Sequence, residues 1–468
     1  MAIIPQSKLF SWKEVEAGSD LDRLKMVLEV LPDEELMREL EAHRDKGRDD
    51  YPVRAVWNSL LAAVVYEHAS VESLRRELKR NAELRQLCGF DPVRGALAVP
   101  PASGYTRFLR NLFCYQEQID GIFDELLERL RRHLSDLGTH LAVDSKGICS
   151  YGRPTDKGRD GRREGDADWG VKTYRGQRED GSLWERVKRW FGYKVQLIVD
   201  VMYEIPLGYG VTRASVSDTV RLLPMMEELE GKRPWVLERA EDMSGDKGYD
   251  STENNRQLYD RWGIKPIIDM RRDWKDGEET RPVHGDRVDN IVTDERGSIF
   301  CVRGEGETVP MAFCGFEGDR GTLKYRCPAA AYGMGCCERA QCSPTSYGRV
   351  VRVPMEMDRR RFVPVPRNSY KWRRLYRGRT AVERVNSRLD VSFGFERHFI
   401  RGMEKMRFRV GLALVVMLAT AVGAIETKRR KQMRSLVWSP TKDARQRSPG
   451  RESKGTEKLG GGVPKNRR

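Results

Sequence analysis

The sequence predicts an α/β protein with an all-helical N-terminal region and a β-rich insertion in its second half. Three observations carry that expectation. Residues 1–135 place apolar side chains at helical spacing between helix start and stop signals. From Gly138 onward, short apolar runs come first and helix–strand units follow, the order expected of an α/β domain. Residues 274–370 are turn-rich, with Val, Phe and Tyr spaced between charged residues, and helical patterns then return. The chain therefore divides into a helical segment (1–135), the first part of an α/β domain (136–273), a β-rich insertion (274–370), helices that complete the domain (371–427) and a basic tail (428–468).

Each element has a local reason. Pro32, Asp33, Glu34 and Glu35 open a helix with acids in its first turn, where exposed N–H groups favour them. Residues 53–66 are apolar in bulk and read as a core helix. Ser70 caps a helix over 71–87, with Leu74, Leu78, Leu84 and Leu87 as its apolar side, and Gly89 and Pro92 stop it. Residues 105–137 are helical, with a break expected near Asp120 and Gly121. Leu141, Ala142, Val143 and Asp144 form an apolar run ending in an acid. Residues 153–190 are charged and Gly-rich, which predicts a long loop or arm. Strands follow over 194–201 and 206–214, the first with Val195, Leu197 and Val199 on one side. Ser217 and Asp218 open a helix to about residue 229; another covers 251–262, and 264–269 is a strand. The last helices cover 380–389 and 403–425. Residues 428–468 hold fourteen basic and three acidic side chains, with Pro and Gly scattered among them, and read as disordered.

A chain of 468 residues exceeds one ordinary core, so two or three domains are expected. Lys and Arg number 85 against 70 acids, a net +15 that suits a polyanionic partner and also serves solubility. Arginine pairs with phosphate through a planar fork. The N-terminus lacks the apolar core of a signal peptide. The longest apolar run, residues 411–425, falls short of a membrane span and reads as a buried helix. A cytoplasmic protein with access to nucleoid DNA and no membrane partner is expected. Cys88, Cys114 and Cys149 are scattered, whereas Cys301, Cys314, Cys327, Cys336, Cys337 and Cys342 fall within 42 residues. Structural Zn²⁺ held by thiolates and free thiols in a β-rich segment are both open readings, because no short cysteine pair repeats.

Three carboxylates carry the chemistry. Asp144 ends an apolar strand, Asp246 sits in a Gly-marked turn 102 residues later, and Glu383 lies on a helix 137 residues further on. Phosphoryl transfer on DNA needs an activated hydroxyl and stabilised charge, which two Mg²⁺ or Mn²⁺ ions on carboxylates supply. Each residue also has a plainer reading. Asp144 can be a turn acid, and Asp246 a helix cap, although Asp250 and Ser251 are better placed for capping. Arg379 and Glu383 can be an i,i+4 surface pair. Asp200 also ends an apolar strand and is a rival ligand, while Asp218 reads as a helix opener. Trp169, Lys172, Trp184 and Trp190 interleave aromatics with cations, so they either stack on unpaired bases or pin the charged segment.

With these residues in view, the chain resembles the DDE transposases of bacterial insertion sequences, in the branch with a Tyr–Arg–Glu helix and a β-rich insertion. The resemblance covers most of residues 20–425. It rests on Tyr51-Pro52-Val53-Arg54, Ser103-Gly104-Tyr105-Thr106-Arg107-Phe108, Leu141 through Lys146, Phe191-Gly192-Tyr193-Lys194, Gly245 through Asp250, and Tyr376, Arg379 and Glu383. It implies an RNase H-like catalytic core with Asp144, Asp246 and Glu383 as catalytic metal ligands. It further implies cleavage at element ends, transfer of the 3′ hydroxyl into target DNA, and at least a dimer on the terminal inverted repeats. Tyr376, Arg379, Lys194 and Trp190 are then expected at the DNA. Asp390 stands where the family helix carries Lys, so Arg384 or Arg388 is expected to supply that cation; Gln196 stands where relatives often carry His. The helical segment serves DNA binding or dimerisation. A nuclease without strand transfer and an inactive DNA-binding remnant are the alternatives.

Overall fold

The computed structural model describes residues 20–44, 51–152, 164–178, 180–284, 290–342 and 345–434. The basic tail from residue 435 and part of the charged segment, residues 153–163, lie outside them. The N-terminal helices are α1 (Asp20–Val30), α2 (Glu34–Arg44), α3 (Val53–Val65), α4 (Val71–Arg80), α5 (Ala82–Cys88), α6 (Ala102–Leu112) and α7 (Gln116–His133). Ser70 caps α4 by accepting from the Ser73 N–H. The expected single helix over 71–87 is two, because Asn81 adopts an extended conformation and caps α5 through the Leu84 N–H. The break expected near Asp120 and Gly121 lies instead at the turn Phe113–Tyr115. Asp120 stays inside α7, where it accepts from Gln116 one turn earlier and, across the fold, from the Tyr209 hydroxyl and Lys232.

The central sheet is β1 (His140–Cys149), β2 (Asp168–Gln177), β3 (Leu183–Asp200), β4 (Pro206–Arg213), β5 (Asp242–Gly245) and β6 (Lys265–Ile268), in the order β2-β3-β1-β5-β6 with β4 also on β3. β1 runs antiparallel to β3 and parallel to β5, which is parallel to β6. α8 (Asp218–Lys232), α9 (Pro234–Arg239) and α10 (Thr252–Asp260) connect the later strands. This is an RNase H-like core behind an all-helical N-terminal region. The segment expected as a loop is mostly a hairpin: β2 pairs with the first half of β3 from Asp168↔Gly192 to Gln177↔Leu183. Trp190 explains how it is held. Its buried ring lies where a Cβ on Gly147 or Gly170 would stand 2.6 or 2.3 Å from it, so only glycine fits under it on both neighbouring strands.

The insertion forms two small sheets. β7 (Thr280–Pro282), β8 (Ile291–Asp294), β9 (Ile299–Val302) and β10 (Thr308–Pro310) make one; β11 (Ala312–Glu317), β12 (Thr322–Arg326) and β13 (Val350–Pro354) make the other. Short helices α11 (Pro328–Tyr332) and α12 (Arg339–Cys342) lie between β12 and β13. Ile291, Ile299, Leu323, Tyr325 and Val353 belong to their shared core. The chain then returns through α13 (Tyr370–Tyr376), a tight turn at Arg377–Arg379, α14 (Thr380–Phe393) and α15 (Met403–Glu426). α15 is long and apolar enough to cross a membrane, yet 89% of its apolar window is buried in the protein. It packs on α1, α3, α7 and β4, so one hydrophobic core runs through both the N-terminal helices and the sheet. That shared core fixes the frame on which the carboxylates stand.

Candidate active site

Asp144 lies in the middle of β1, and Asp246 is the first residue after β5. The parallel register pairs Val143 with Gly245, so the two carboxylates follow one another on adjacent strands. Burial pushes the Asp144 carboxyl up to about 6; the Asp246 charge adds to that, while the Ser145 N–H and the Lys172 and Arg379 charges oppose it. Asp246 accepts from the Gly248 N–H at 2.7 Å through Oδ1. That bond caps the short turn Lys247–Tyr249, and Ser251, through the Asn254 N–H, caps the longer helix after it. Beneath them, buried Tyr249 has its hydroxyl pushed far up, by burial first and then by the Asp218, Asp144 and Asp246 charges.

Glu383 lies in the first turn of α14, about half exposed, and receives Arg379 Nη1 at 2.8 Å. Burial acts to lower the Arg379 pKa, but the Glu383, Tyr376 and Asp144 charges outweigh it and hold it above the usual value. The guanidinium is thus ion-paired with Glu383 and lies within the field of Asp144. Its carbon also sits 5.8 Å from the Tyr376 ring, which stacks on Trp372. The strand register sets Asp144 and Asp246 side by side, while Glu383 is paired with Arg379. Among the described residues no three His, Cys, Asp or Glu side chains stand together as a metal-holding group. Asp144 and Asp246, oxygen donors whose charges repel, do fit a hard divalent cation.

A groove of about 1060 Å³ opens beside the pair. Lys146, Lys172, Lys188 and Lys194 from β1–β3 line it, and Asp269, Arg271, Arg272, Glu278, Glu279, Asp294, Glu295 and Arg296 add charges of both signs. Lys194 donates to Asp218 at 3.1 Å and to the Val216 carbonyl at 2.8 Å. Lys172 and Lys188 are direct cross-strand partners.

Several expectations need correction. Trp190 is 8% exposed, and its Nε1 donates to the Tyr193 carbonyl at 3.1 Å, so it pins the hairpin and leaves little surface to the groove it helps to line. Trp184 covers Gly176 yet is 37% exposed, and Trp169 is 53% exposed. Arg384 and Arg388 turn away from the carboxylates: Glu204, buried at the β3–β4 turn, receives them at 2.6 and 2.7 Å, together with Arg434. Burial lowers the Arg388 pKa to about 10, and only 14% of its side chain is exposed. Neither supplies the cation expected near Asp390. Lys146 does, by an ion pair that sequence reasoning missed. The two residues are 244 apart, and no local pattern links them. Asp200 accepts from the Gly138 and Tyr203 N–H groups and shapes turns away from the pair.

Residues 136–419 match the family described as Transposase DDE domain, and residues 13–111 match the one described as Transposase domain (DUF772). A putative transposase for insertion sequence element IS402 from Burkholderia cepacia is 40% identical over 70 residues, 14% of this chain. The match spans about a third (33%) of that relative's length. A cryo-EM structure of the piggyBac transposase synaptic complex with hairpin DNA aligns over 94% of this chain and 84% of that one, at 12% identity and a TM-score of 0.35. That likeness is too slight to bear on fold or partner.

Proposed function

We propose that this chain, which belongs to the family of transposases with a DDE domain, cleaves the ends of its own insertion element and joins the 3′ hydroxyls to target DNA. The observation that carries the reading is the pairing of Asp144 and Asp246 on adjacent strands, with Arg379 beside them. Asp144, Asp246 and Glu383 would hold two Mg²⁺ or Mn²⁺ ions, which would activate the attacking hydroxyl and stabilise charge on the phosphate and leaving oxygen. Glu383 joins that set by releasing Arg379, whose planar fork then faces a phosphate. Lys172 and Lys188 support a duplex in the groove. Like charges placed directly across a strand pair repel, and a phosphate backbone relieves that repulsion. Two element ends have to be held at once, so the working form is at least a dimer on DNA.

The test replaces Asp144 with Ala and follows Mg²⁺-dependent cleavage of a duplex carrying an element end. Cleavage should fall to background while binding persists. Full-rate cleavage by the variant would remove Asp144 from the site. A second reading, a DNA-binding remnant, draws on the Arg379–Glu383 pair. Wild-type binding with no cleavage in Mg²⁺ or Mn²⁺ would favour it.

A further inference from the structure

The six cysteines of the insertion separate by surroundings. Cys314, Cys337 and Cys342 are exposed and Cys301, Cys327 and Cys336 are half-buried; Cys314 lies apart from the rest on β11. Four of the six come from distinct points of the chain: Cys301 on β9, Cys327 after β12, Cys336 before α12 and Cys342 at its end. Asn290 and Arg349 draw them together. Asn290 Nδ2 donates to Cys301 Sγ at 3.4 Å, and Asn290 Oδ1 accepts from Arg349 Nη1 at 2.8 Å. The same Nη1 lies 3.9 Å from Cys342 Sγ. The Arg349 carbonyl accepts from the Cys327 N–H at 2.8 Å. Arg303 Nη1 donates to the Gly335 carbonyl at 3.0 Å, which brings the residue before Cys336 onto the end of β9.

We propose that Cys301, Cys327, Cys336 and Cys342 are the ligands of a structural zinc ion that ties the two sheets of the insertion together. Cys301 belongs to the sheet of β7–β10, and Cys327 follows directly on the sheet of β11–β13, so an ion between them bridges both. Four thiolates are the donor set of closed, tetrahedral zinc sites. The insertion has reason to use one. Its own buried cluster holds ten residues, few for two sheets and their long connections, and small cores commonly take a metal as a staple. The sulfurs stand wider than ligand spacing. Binding therefore calls for the four side chains to close to roughly 2.3 Å from the ion. Asn290 Nδ2 and Arg349 Nη1 then act as N–H donors to the thiolates.

Metal content reads the site out independently of phosphoryl chemistry. The full chain is purified, dialysed against a weak chelator and analysed by elemental mass spectrometry. About one zinc per chain is expected. Cys327→Ser and Cys342→Ser should each lose the ion, whereas Cys314→Ser and Cys337→Ser should keep it. Because a ligand variant can fail to fold, the wild-type chain is also loaded with Co²⁺. A thiolate-to-metal band in the near ultraviolet with strong visible bands is expected of a tetrahedral sulfur site. A wild-type chain without zinc and without that spectrum overturns the proposal. So does zinc retained by both folded ligand variants, or a disulfide between two of the four cysteines in non-reducing peptide mapping.

Discussion

Lys146 donates an ion-paired hydrogen bond to Asp390, joining the central strand to the helix that carries Glu383. Lys146 lies two residues after Asp144, so both side chains share one face of β1. Asp390 lies seven residues after Glu383, about two turns along the same face of α14. The pair therefore fixes the face bearing Glu383 against the face bearing Asp144. Both partners are mostly buried, with side chains 16% and 23% exposed, so water screens them only in part.

Breaking that pair should loosen the site as well as the fold. Lys146→Ala and Asp390→Ala are each expected to cost about 2 kcal/mol, the range of a hydrogen bond between charged groups. In a double-mutant cycle read by urea unfolding, the two losses should fall short of adding, by about 1 kcal/mol or more. Additive losses would mean that the residues do not act as a pair.

How much of this was legible follows from where each signal sits. Asp144 could be read because it directly follows three buried apolar residues, Leu141–Val143, a contrast within four residues, although the strand runs on past it to Cys149. The β2–β3 hairpin could not, because it projects with both faces largely exposed; without a buried face, strands leave charged, glycine-rich sequence. Trp190 shows the same limit: the two glycines beneath it lie 43 residues or fewer away, on neighbouring strands that only the fold aligns. The Glu204 cluster draws Arg384 and Arg388 across about 180 residues, so their charge read as free when it was already committed. Residue chemistry singled out the carboxylate pair; long-range pairing decided which cations remain near it.

The Asp144 carboxyl predicts an inverted pH response. Its folded pKa, about 6, lies above the ordinary aspartate value of 3.8 because burial and Asp246 disfavour the anion. The folded chain then binds more protons than the unfolded chain between these values, so this group's contribution to stability falls as pH rises through 6. Asp144→Asn removes the ionisation. Relative to wild type, it should gain about 2 kcal/mol between pH 4 and pH 8, measured by chemical denaturation with a chelator present. A variant that loses relative stability over that interval would contradict the assignment.

Trp190 is predicted to be a packing residue. Trp190→Ala should cost about 3–5 kcal/mol through the cavity it leaves. Gly170→Ala should cost about 1–3 kcal/mol in the wild-type background, and much less with Trp190 removed, because its Cβ meets that ring. Thermal unfolding of the two single variants and the double variant measures this. If Trp190→Ala weakened DNA binding while leaving the melting temperature unchanged, the ring would instead be a base contact.

The side of the molecule that meets DNA can be found from salt dependence. Lys172 and Lys188 line the groove and face one another across β2 and β3. Replacing both with Ala removes a repulsion, so stability should hold or rise slightly. If both sit on phosphates, the slope of log affinity against log salt should become shallower by about 1.8, near 0.9 for each phosphate no longer neutralised. Arg388→Ala should behave in the opposite way. It leaves buried Glu204 with one partner fewer and should lower the melting temperature, with the salt slope unchanged. Equilibrium binding of an element-end duplex over a salt series, paired with thermal melts, separates the two surfaces. A shallower slope for Arg388→Ala and an unchanged one for the lysine pair would move the duplex to the Glu204 side of the sheet.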